Sequence, residues 1–91
     1  MELSRSDIVL SVAGRDQGLL FYVLDVRDDM VLIGNGKERK LEHPKWKKLK
    51  HVRKVARSET RTAALIRCGQ RVLNSELRKD LAILRHQINQ S

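Results

Sequence analysis

A chain of 91 residues can form one small domain with a modest core, which excludes a catalytic domain joined to an accessory domain. The single cysteine, Cys68, excludes a disulfide within this sequence, and nothing in the composition indicates an oxidising compartment. The first residues lack the apolar stretch of a signal peptide, and no window approaches the roughly 18 apolar residues of a membrane span. We therefore expect a soluble, cytoplasmic protein.

The formal net charge of +8 is unevenly distributed along the sequence. Residues 1–36 carry a net charge of −3, residues 37–54 carry +7 and residues 55–91 carry +4. Such concentrated positive charge is typical of proteins that contact phosphates or an anionic membrane surface. A membrane-surface site would need an amphipathic helix with basic residues along one face, and Pro44 and the short spacing around it do not supply one. We therefore expect no membrane partner.

The first 56 residues have the pattern of short strands joined by tight turns. The stretch DIVLSVA predicts a strand with alternate residues on one face, namely Ile8, Leu10 and Val12. In the following AGRDQG, Gly14 and Gly18 can adopt positive φ and Asp16 can bond its own backbone, so we expect a loop.

Four further strands are predicted after this loop. The nearly continuous apolar run LLFYVLDVR at residues 19–27 predicts a central strand, and two aspartates then turn the chain into MVLIG. Asn35-Gly36 predicts a type I′ hairpin turn, because both central positions of that turn need positive φ. A fourth strand is expected over residues 37–41, and LKHVRKV predicts a fifth. Four or five short antiparallel strands favour a small closed or half-closed barrel, because closure removes exposed edges.

The hydrophobic period becomes helical after the strand region. ETRTAALIRCGQ, beginning at Glu59, predicts a short helix with Gly69 as its C-terminal cap. Cys68 is expected to be a small buried hydrophobe, because it shares a helical face with Ala64 and Leu65.

A second helix is predicted after a cap at Asn74 or Ser75. Its apolar stripe consists of Leu77, Leu81, Leu84 and Ile88. We expect this stripe to pack against the barrel or the first helix rather than to bind a partner, since most amphipathic helices serve their own core. The chain thus divides into a barrel at residues 1–56 and a helical extension at residues 57–91. We favour a self-sufficient barrel, and the alternative is that the stripe covers an open side of the sheet.

The sequence has no recognisable catalytic or metal-binding pattern. The glycines of residues 14–36 do not form a phosphate loop, because no GK[ST] follows them and the context is strand to strand. The candidate metal ligands are His43, His51, Cys68 and His86. Their gaps of 8, 17 and 18 residues match no usual spacing of zinc ligands. No pattern of nucleophile, histidine and carboxylate is present either, so we predict no enzymatic activity, no metal and no cofactor.

The stretch SDIVLSVAGRDQGLLFYVLDV resembles the KOW motif, a strand-loop-strand unit with a glycine-centred loop. The further order through VLIGNGKERKLEHPKWKKLKHV resembles small bacterial KOW proteins akin to an archaeal and eukaryotic large-subunit ribosomal protein, and LNSELRKDL resembles their tail. The resemblance implies an SH3-like barrel that binds structured RNA, with a loop built on Gly14, Asp16 and Gly18. Gln17 stands where such loops often carry lysine, which shifts the expected RNA contact towards the basic segment.

The segment LEHPKWKKLKHVRK, residues 41–54, is the strongest candidate for that contact. It contains no acid after Glu42, and Pro44 stiffens the bend that leads into its lysines. Trp46 is either a surface on which an unpaired base stacks or a core residue of the barrel. The predicted RNA-binding residues are Arg15, Lys37, Arg39, Lys40, Lys45, Trp46, Lys47, Lys48, Lys50, His51, Arg53 and Lys54.

Two functions of different classes follow from these patterns. The first is an RNA-binding protein, associated with ribosomes, that holds folded RNA through backbone charge with little sequence reading. The second is a protein-interaction module, since KOW domains of the transcription-elongation-factor kind bind protein partners, here through the barrel or the last helix. Double-stranded DNA binding is disfavoured, because the sequence offers no recognition helix with a basic inward face.

Overall fold

The computed structural model describes residues 2–90, with all their side chains except that of Gln90. The strands are β1 (Asp7–Ser11), β2 (Leu20–Arg27), β3 (Met30–Gly34), β4 (Lys45–Lys48) and β5 (Val52–Arg57), and the helices are α1 (Arg61–Arg67) and α2 (Asn74–Gln90). A single 3₁₀ turn at Leu49–His51 joins β4 to β5. The sequence-based expectation of a mostly β fold with C-terminal helices is therefore confirmed.

The five strands form one antiparallel sheet in the order β4-β3-β2-β1-β5. Within the described residues, β4 and β5 are edge strands that do not pair with each other, so the expected barrel is an open sheet. This architecture is compatible with a small SH3-like fold. The predicted central position of β2 is also confirmed.

The first half of β2 is buried on both faces of the sheet, which explains its nearly continuous apolar run. One face carries Val9, Phe21, Val23, Val31, Ile33 and Val52, which pack on one another. The opposite face carries Ile8, Leu20 and Tyr22, which pack against both helices. Val12 does not share a face with Ile8 and Leu10 as predicted, because β1 ends at Ser11 and Val12 is 39% exposed.

The backbone of the first loop has the conformation predicted from its glycines, whereas the turn at Asn35-Gly36 does not. Gly14 and Gly18 have φ of 78° and 89°, as expected. Asn35-Gly36 does not form a type I′ turn, because only Gly36 has positive φ. The Asn35 side-chain oxygen accepts hydrogen bonds from the backbone N–H groups of Lys37 and Arg39. These donors are the ones that a following strand would use, so the strand predicted over residues 37–41 is absent and β4 begins later, at Lys45.

The first helix is capped at both ends. Thr60 accepts a hydrogen bond from the N–H of Ala63, and Gly69 has the predicted positive φ, 71°. The N–H groups of Gly69 and Gln70 donate to the last carbonyls of the helix, which is a Schellman motif. Cys68 is exposed, so the prediction of a buried cysteine is wrong. The helix ends at Arg67, and Cys68 therefore occupies the cap rather than the packed face.

The second helix packs on the sheet through its first half. Leu77 and Leu81 are buried and Leu84 is partly buried, which confirms the packing of this part of the stripe, whereas Ile88 is 43% exposed. Neither predicted residue caps the helix. The carbonyl of Leu73 accepts from Leu77, and the Asn74 side chain instead accepts from the N–H of Leu41.

A polar network fixes both helices to β2. The hydroxyl of Tyr22 donates to the carboxylate of Asp80 in α2 at 2.7 Å, and the hydroxyl of Thr60 donates to the same oxygen at 2.8 Å. Thr60 is also the N-terminal cap of α1, so one carboxylate within α2 joins the sheet to the start of α1. Burial raises the pKa of the Tyr22 hydroxyl above its ordinary value, and the charge and hydrogen bond of Asp80 act in the same direction.

Candidate nucleic-acid interface

The loop between β1 and β2 and the basic segment meet at Lys47. The Lys47 Nζ donates to the carbonyl oxygen of Ala13 at 2.8 Å and lies 3.8 Å from a carboxylate oxygen of Asp16. A Cβ atom added to Gly14 would lie 3.5 Å from the same Nζ, so the loop packs directly on the lysine. Lys47 points to the buried side of β4, because it pairs with Val31 in the inner face of the sheet. The structure therefore brings the two sequence-predicted regions together.

Asp16 is the centre of this junction. Its carboxylate is buried and accepts from the guanidinium of Arg39 at 3.1 and 3.3 Å, while the Lys45 Nζ lies 3.9 Å away. A buried carboxylate is costly unless it is paired and hydrogen-bonded, and three neighbouring cations meet that need. The expectation that the Asp16 side chain bonds its own backbone is not met, since its hydrogen-bond partner is Arg39. Asp16 thus holds the loop against the basic segment.

The predicted RNA-binding side chains differ in accessibility. The exposed ones are Arg15, Lys37, Lys40, Lys45, Lys48, Lys50, Arg53 and Lys54. Arg39, Trp46 and His51 are half-buried. Lys47 is only 6% exposed and therefore does not lie on the surface with the other lysines of the basic segment. Two neighbouring lysines in one strand point to opposite sides, which is why Lys47 is buried while Lys48 is exposed.

Trp46 is not a core residue. It belongs to neither buried apolar cluster and lies opposite Leu32 on the outer face of the sheet edge. The guanidinium of Arg27 lies 5.3 Å from the centre of its ring, which is within cation–π range. The sequence offered no signal for this pair, because Arg27 ends β2 and reaches Trp46 across β3. One ring face is therefore occupied by a cation.

An open groove of about 320 Å³ lies between β4 and the first loop. Its apolar lining comes from Met30 and Trp46, and Ala13 and Gly14 supply the loop side. The basic residues along it are Lys45, Lys47, Lys48 and His51. Trp46 and these four basic residues thus border one open groove, which can hold a base and its phosphates.

The remaining predicted residues lie elsewhere. Arg53 and Lys54 are on β5, at the opposite edge of the sheet from β4. The Lys54 Nζ lies 3.4 Å from the carboxylate of Asp7, whereas Arg53 lines a different cleft beside Ile88. The predicted set is therefore not one continuous surface.

Sequence reasoning missed two arginines of α2. Arg78 donates to the carbonyl oxygen of Gly36 at 2.6 Å, and Arg85 donates to that of Gly18 at 2.8 Å. Their seven-residue spacing places both near one helical face, which was a readable signal. The sequence alone could not show that this face meets the two glycine loops.

Comparisons with known proteins add no assignment. No family model matches the chain, and no curated protein matches it either. Among the described residues, no group of three or more His, Cys, Asp or Glu side chains could hold a metal ion. Over the same residues, no helix has the length and apolar character needed to cross a membrane.

Proposed function

We propose that the protein binds structured RNA as a ribosome-associated KOW-type protein of the cytoplasm. The observation that carries this proposal is the groove in which Trp46 lies among Lys45, Lys48 and His51, next to the loop at Ala13 and Gly14. The groove is formed by the two regions on which the resemblance to KOW proteins rests.

The chemistry of the groove fits RNA better than a small ligand. Lysine ammonium groups act as point charges, so they contact phosphates without reading sequence. Trp46 offers a ring for an unpaired base, and such stacking contributes about 1 to 3 kcal/mol. Sequence-specific RNA recognition favours loops and bulges, where unstacked bases are available. A stem with a bulge or loop would present both groups at once.

The buried cations have a different part in this proposal. Lys47 and Arg39 are committed to Ala13 and Asp16, so they shape the groove instead of contacting RNA. The exposed Lys40 and Lys50 extend the positive surface beyond the groove. RNA contacts are therefore expected from Lys45, Lys48 and Trp46.

Ribosome co-sedimentation across a salt series tests the proposal. Wild-type protein should sediment with ribosomes at low salt and be released as salt rises, because phosphate contacts displace counterions. The variant Lys45→Glu/Lys48→Glu should lose binding at about 150 mM salt, and its thermal unfolding is measured as well because Lys45 also lies near Asp16. The charge-matched control is Arg61→Glu/Lys79→Glu, at exposed positions outside the groove. Equal sedimentation of both double variants would contradict the proposal.

A protein-interaction module is the second candidate. It is favoured by exposed apolar side chains near α2, since Leu73 is 53% exposed and Ile83 is 51% exposed. Apolar docking depends little on salt, so the same series separates the candidates. Binding to ribosomes that persists at high salt and is lost in Ile83→Ser would favour the second one.

A further inference from the structure

A second basic cleft lies between α2 and the two glycine loops, and it is lined by residues that the groove does not use. Its volume is about 330 Å³. Arg78, Ala82 and Arg85 form its helical side, while Lys37 and Glu38 form part of the opposite side. The small side chain of Ala82 leaves the space between the two arginines open.

Both arginines are held in place by backbone oxygens. Arg78 bonds the carbonyl of Gly36 at 2.6 Å and Arg85 bonds the carbonyl of Gly18 at 2.8 Å. A guanidinium has five N–H donors, so each arginine retains donors for a further acceptor. Within residues 2–90, neither arginine forms an ion pair with a carboxylate. Their charges are therefore oriented but not neutralised.

The cleft has one acidic residue, Glu38, and its carboxylate already contacts neighbouring side chains. One carboxylate oxygen of Glu38 accepts from the Asn35 side-chain amide at 2.9 Å, and the other lies 3.9 Å from the Lys37 Nζ. The lining thus combines the three cations Lys37, Arg78 and Arg85 with a single carboxylate. The net charge of the cleft favours an anion.

The spacing of the arginines indicates a polymeric anion. Seven residues of α-helix extend about 10.5 Å along the axis, and Arg78 and Arg85 are each tied to a different loop, at Gly36 and at Gly18, so separate phosphates fit the two guanidinium groups better than one shared phosphate. A chain with phosphates at regular intervals could contact both. Arginine also suits such a backbone because its planar fork matches phosphate oxygens in a bidentate manner.

We propose that this cleft binds the phosphodiester backbone of RNA at more than one phosphate through Arg78, Arg85 and Lys37. The inference rests on the proposed function and extends it to a second surface. The loop at residues 13–19 separates the cleft from the groove: Ala13 and Gly14 line the groove, and Leu19 lines the cleft. One RNA molecule that crosses the exposed Arg15 of this loop contacts both sites.

The test compares Arg78→Gln/Arg85→Gln with the charge-matched control Arg61→Gln/Lys79→Gln. The probe is a labelled RNA stem-loop, and its Kd is measured across a salt series. Loss of two phosphate contacts should weaken binding about tenfold or more at physiological salt and reduce the magnitude of the salt slope by about 1.4 to 1.8. The control should keep the wild-type slope. Glutamine removes the charge but is shorter than arginine and does not reach as far towards the two carbonyls, so thermal unfolding checks that the fold persists.

Further measurements distinguish failure of the cleft proposal from failure of the proposed RNA-binding function. Arg78→Lys/Arg85→Lys retains charge and should retain most of the slope. Equal salt slopes for the glutamine variant and its control would contradict RNA binding by the cleft without contradicting RNA binding by the groove. If wild-type protein does not bind the stem-loop, both the proposed function and RNA binding by the cleft are contradicted. Calorimetric titration with inorganic phosphate should give no saturable binding, and saturable binding lost in the glutamine variant would overturn the polymeric assignment.

Discussion

The ammonium group of Lys47 in β4 lies 2.8 Å from the carbonyl oxygen of Ala13, and Lys47 is only 6% exposed. A lysine within a basic run thus joins the sheet edge to the first loop. Replacing Lys45, Lys47 and Lys48 together by glutamate would therefore disrupt the fold, because Lys47 is a buried contact of this junction. Stability and RNA binding must be tested at different lysines.

Lys47→Glu should destabilise the protein, whereas Lys48→Glu should not. The first substitution removes a buried cation and places a carboxylate near Asp16, so the free energy of unfolding should fall by at least about 3 kcal/mol. The second changes an exposed side chain and should alter it by no more than about 0.5 kcal/mol. Urea unfolding measures both. Similar midpoints for the two variants would show that Lys47 is not structural.

The glycine turns allow a separate test of backbone strain and steric contact. Gly18 and Gly36 have φ of 89° and 77°, but a Cβ on Gly18 would meet nothing within 4 Å, whereas one on Gly36 would clash with the backbone carbonyl of Asn74. Gly18→Ala should cost about 1 to 2 kcal/mol from the left-handed backbone alone. Gly36→Ala should cost about 1 to 3 kcal/mol more, because α2 must shift.

Two controls accompany the glycine variants. Gly69→Ala, at φ of 71° with open space around it, should match Gly18→Ala. Gly18→Val should likewise lower the melting temperature, as its positive φ disfavours a β-branched side chain. If Gly36→Ala unfolds at the same temperature as Gly18→Ala, the close approach of the loop to α2 is wrong.

The buried hydroxyl of Tyr22 predicts that the folded protein loses stability at alkaline pH. Burial raises the pKa of its hydroxyl, so the folded state holds this proton more tightly than the unfolded state does. Its contribution is fully present below the unfolded pKa of about 10 and is lost as pH rises through the folded pKa. Tyr22 is the only tyrosine, so phenolate absorbance should titrate above the ordinary value in folded protein and at that value in denaturant.

Tyr22→Phe provides the matching stability measurement. Loss of the hydrogen bond to Asp80 should reduce the free energy of unfolding by about 1.5 to 3 kcal/mol at neutral pH. The difference from wild type should shrink above about pH 10, because the wild type then loses stability by ionising Tyr22. A constant difference across that range would rule out the buried, proton-retaining state of the hydroxyl.

The strands and glycine turns could be predicted because their causes are local. The apolar run of β2 and the positive φ of Gly14, Gly18 and Gly69 follow from side-chain volume and backbone freedom. The absence of the strand expected over residues 37–41 could not be predicted from the sequence. It depends on the side-chain oxygen of Asn35, which accepts hydrogen bonds from two backbone N–H groups that a hairpin would use.

The candidate site was less predictable, because it depends on contacts between distant segments. Lys45, Lys47 and Lys48 have the same chemistry in the sequence, and only the packing of β4 beside the first loop distinguishes them. The importance of Arg78 and Arg85 likewise appears only when α2 is placed against two loops. The basic segment could be identified from its charge, but its division into structural and exposed lysines could not.

Truncation after Ala56 tests whether the sheet is self-sufficient. The sequence favoured a folded fragment, but the packing favours the alternative, because Leu77 and Leu81 cover the face formed by Ile8, Leu20 and Tyr22. A domain of this size buries only about 60% of its surface even when intact, so the loss of that cover should abolish cooperative unfolding. The measurement is thermal unfolding together with the dispersion of the amide spectrum.

A full-length variant distinguishes missing cover from a damaged sheet edge, since the truncation also removes Arg57 from β5. Leu77→Ala keeps every strand and should still cost about 2 to 5 kcal/mol, because Leu77 is fully buried. If the fragment unfolds cooperatively with a dispersed spectrum and Leu77→Ala is nearly neutral, α2 does not stabilise the sheet. The helix would then serve only the proposed cleft and the exposed apolar side chains, and the division at residue 56 would separate two independent units.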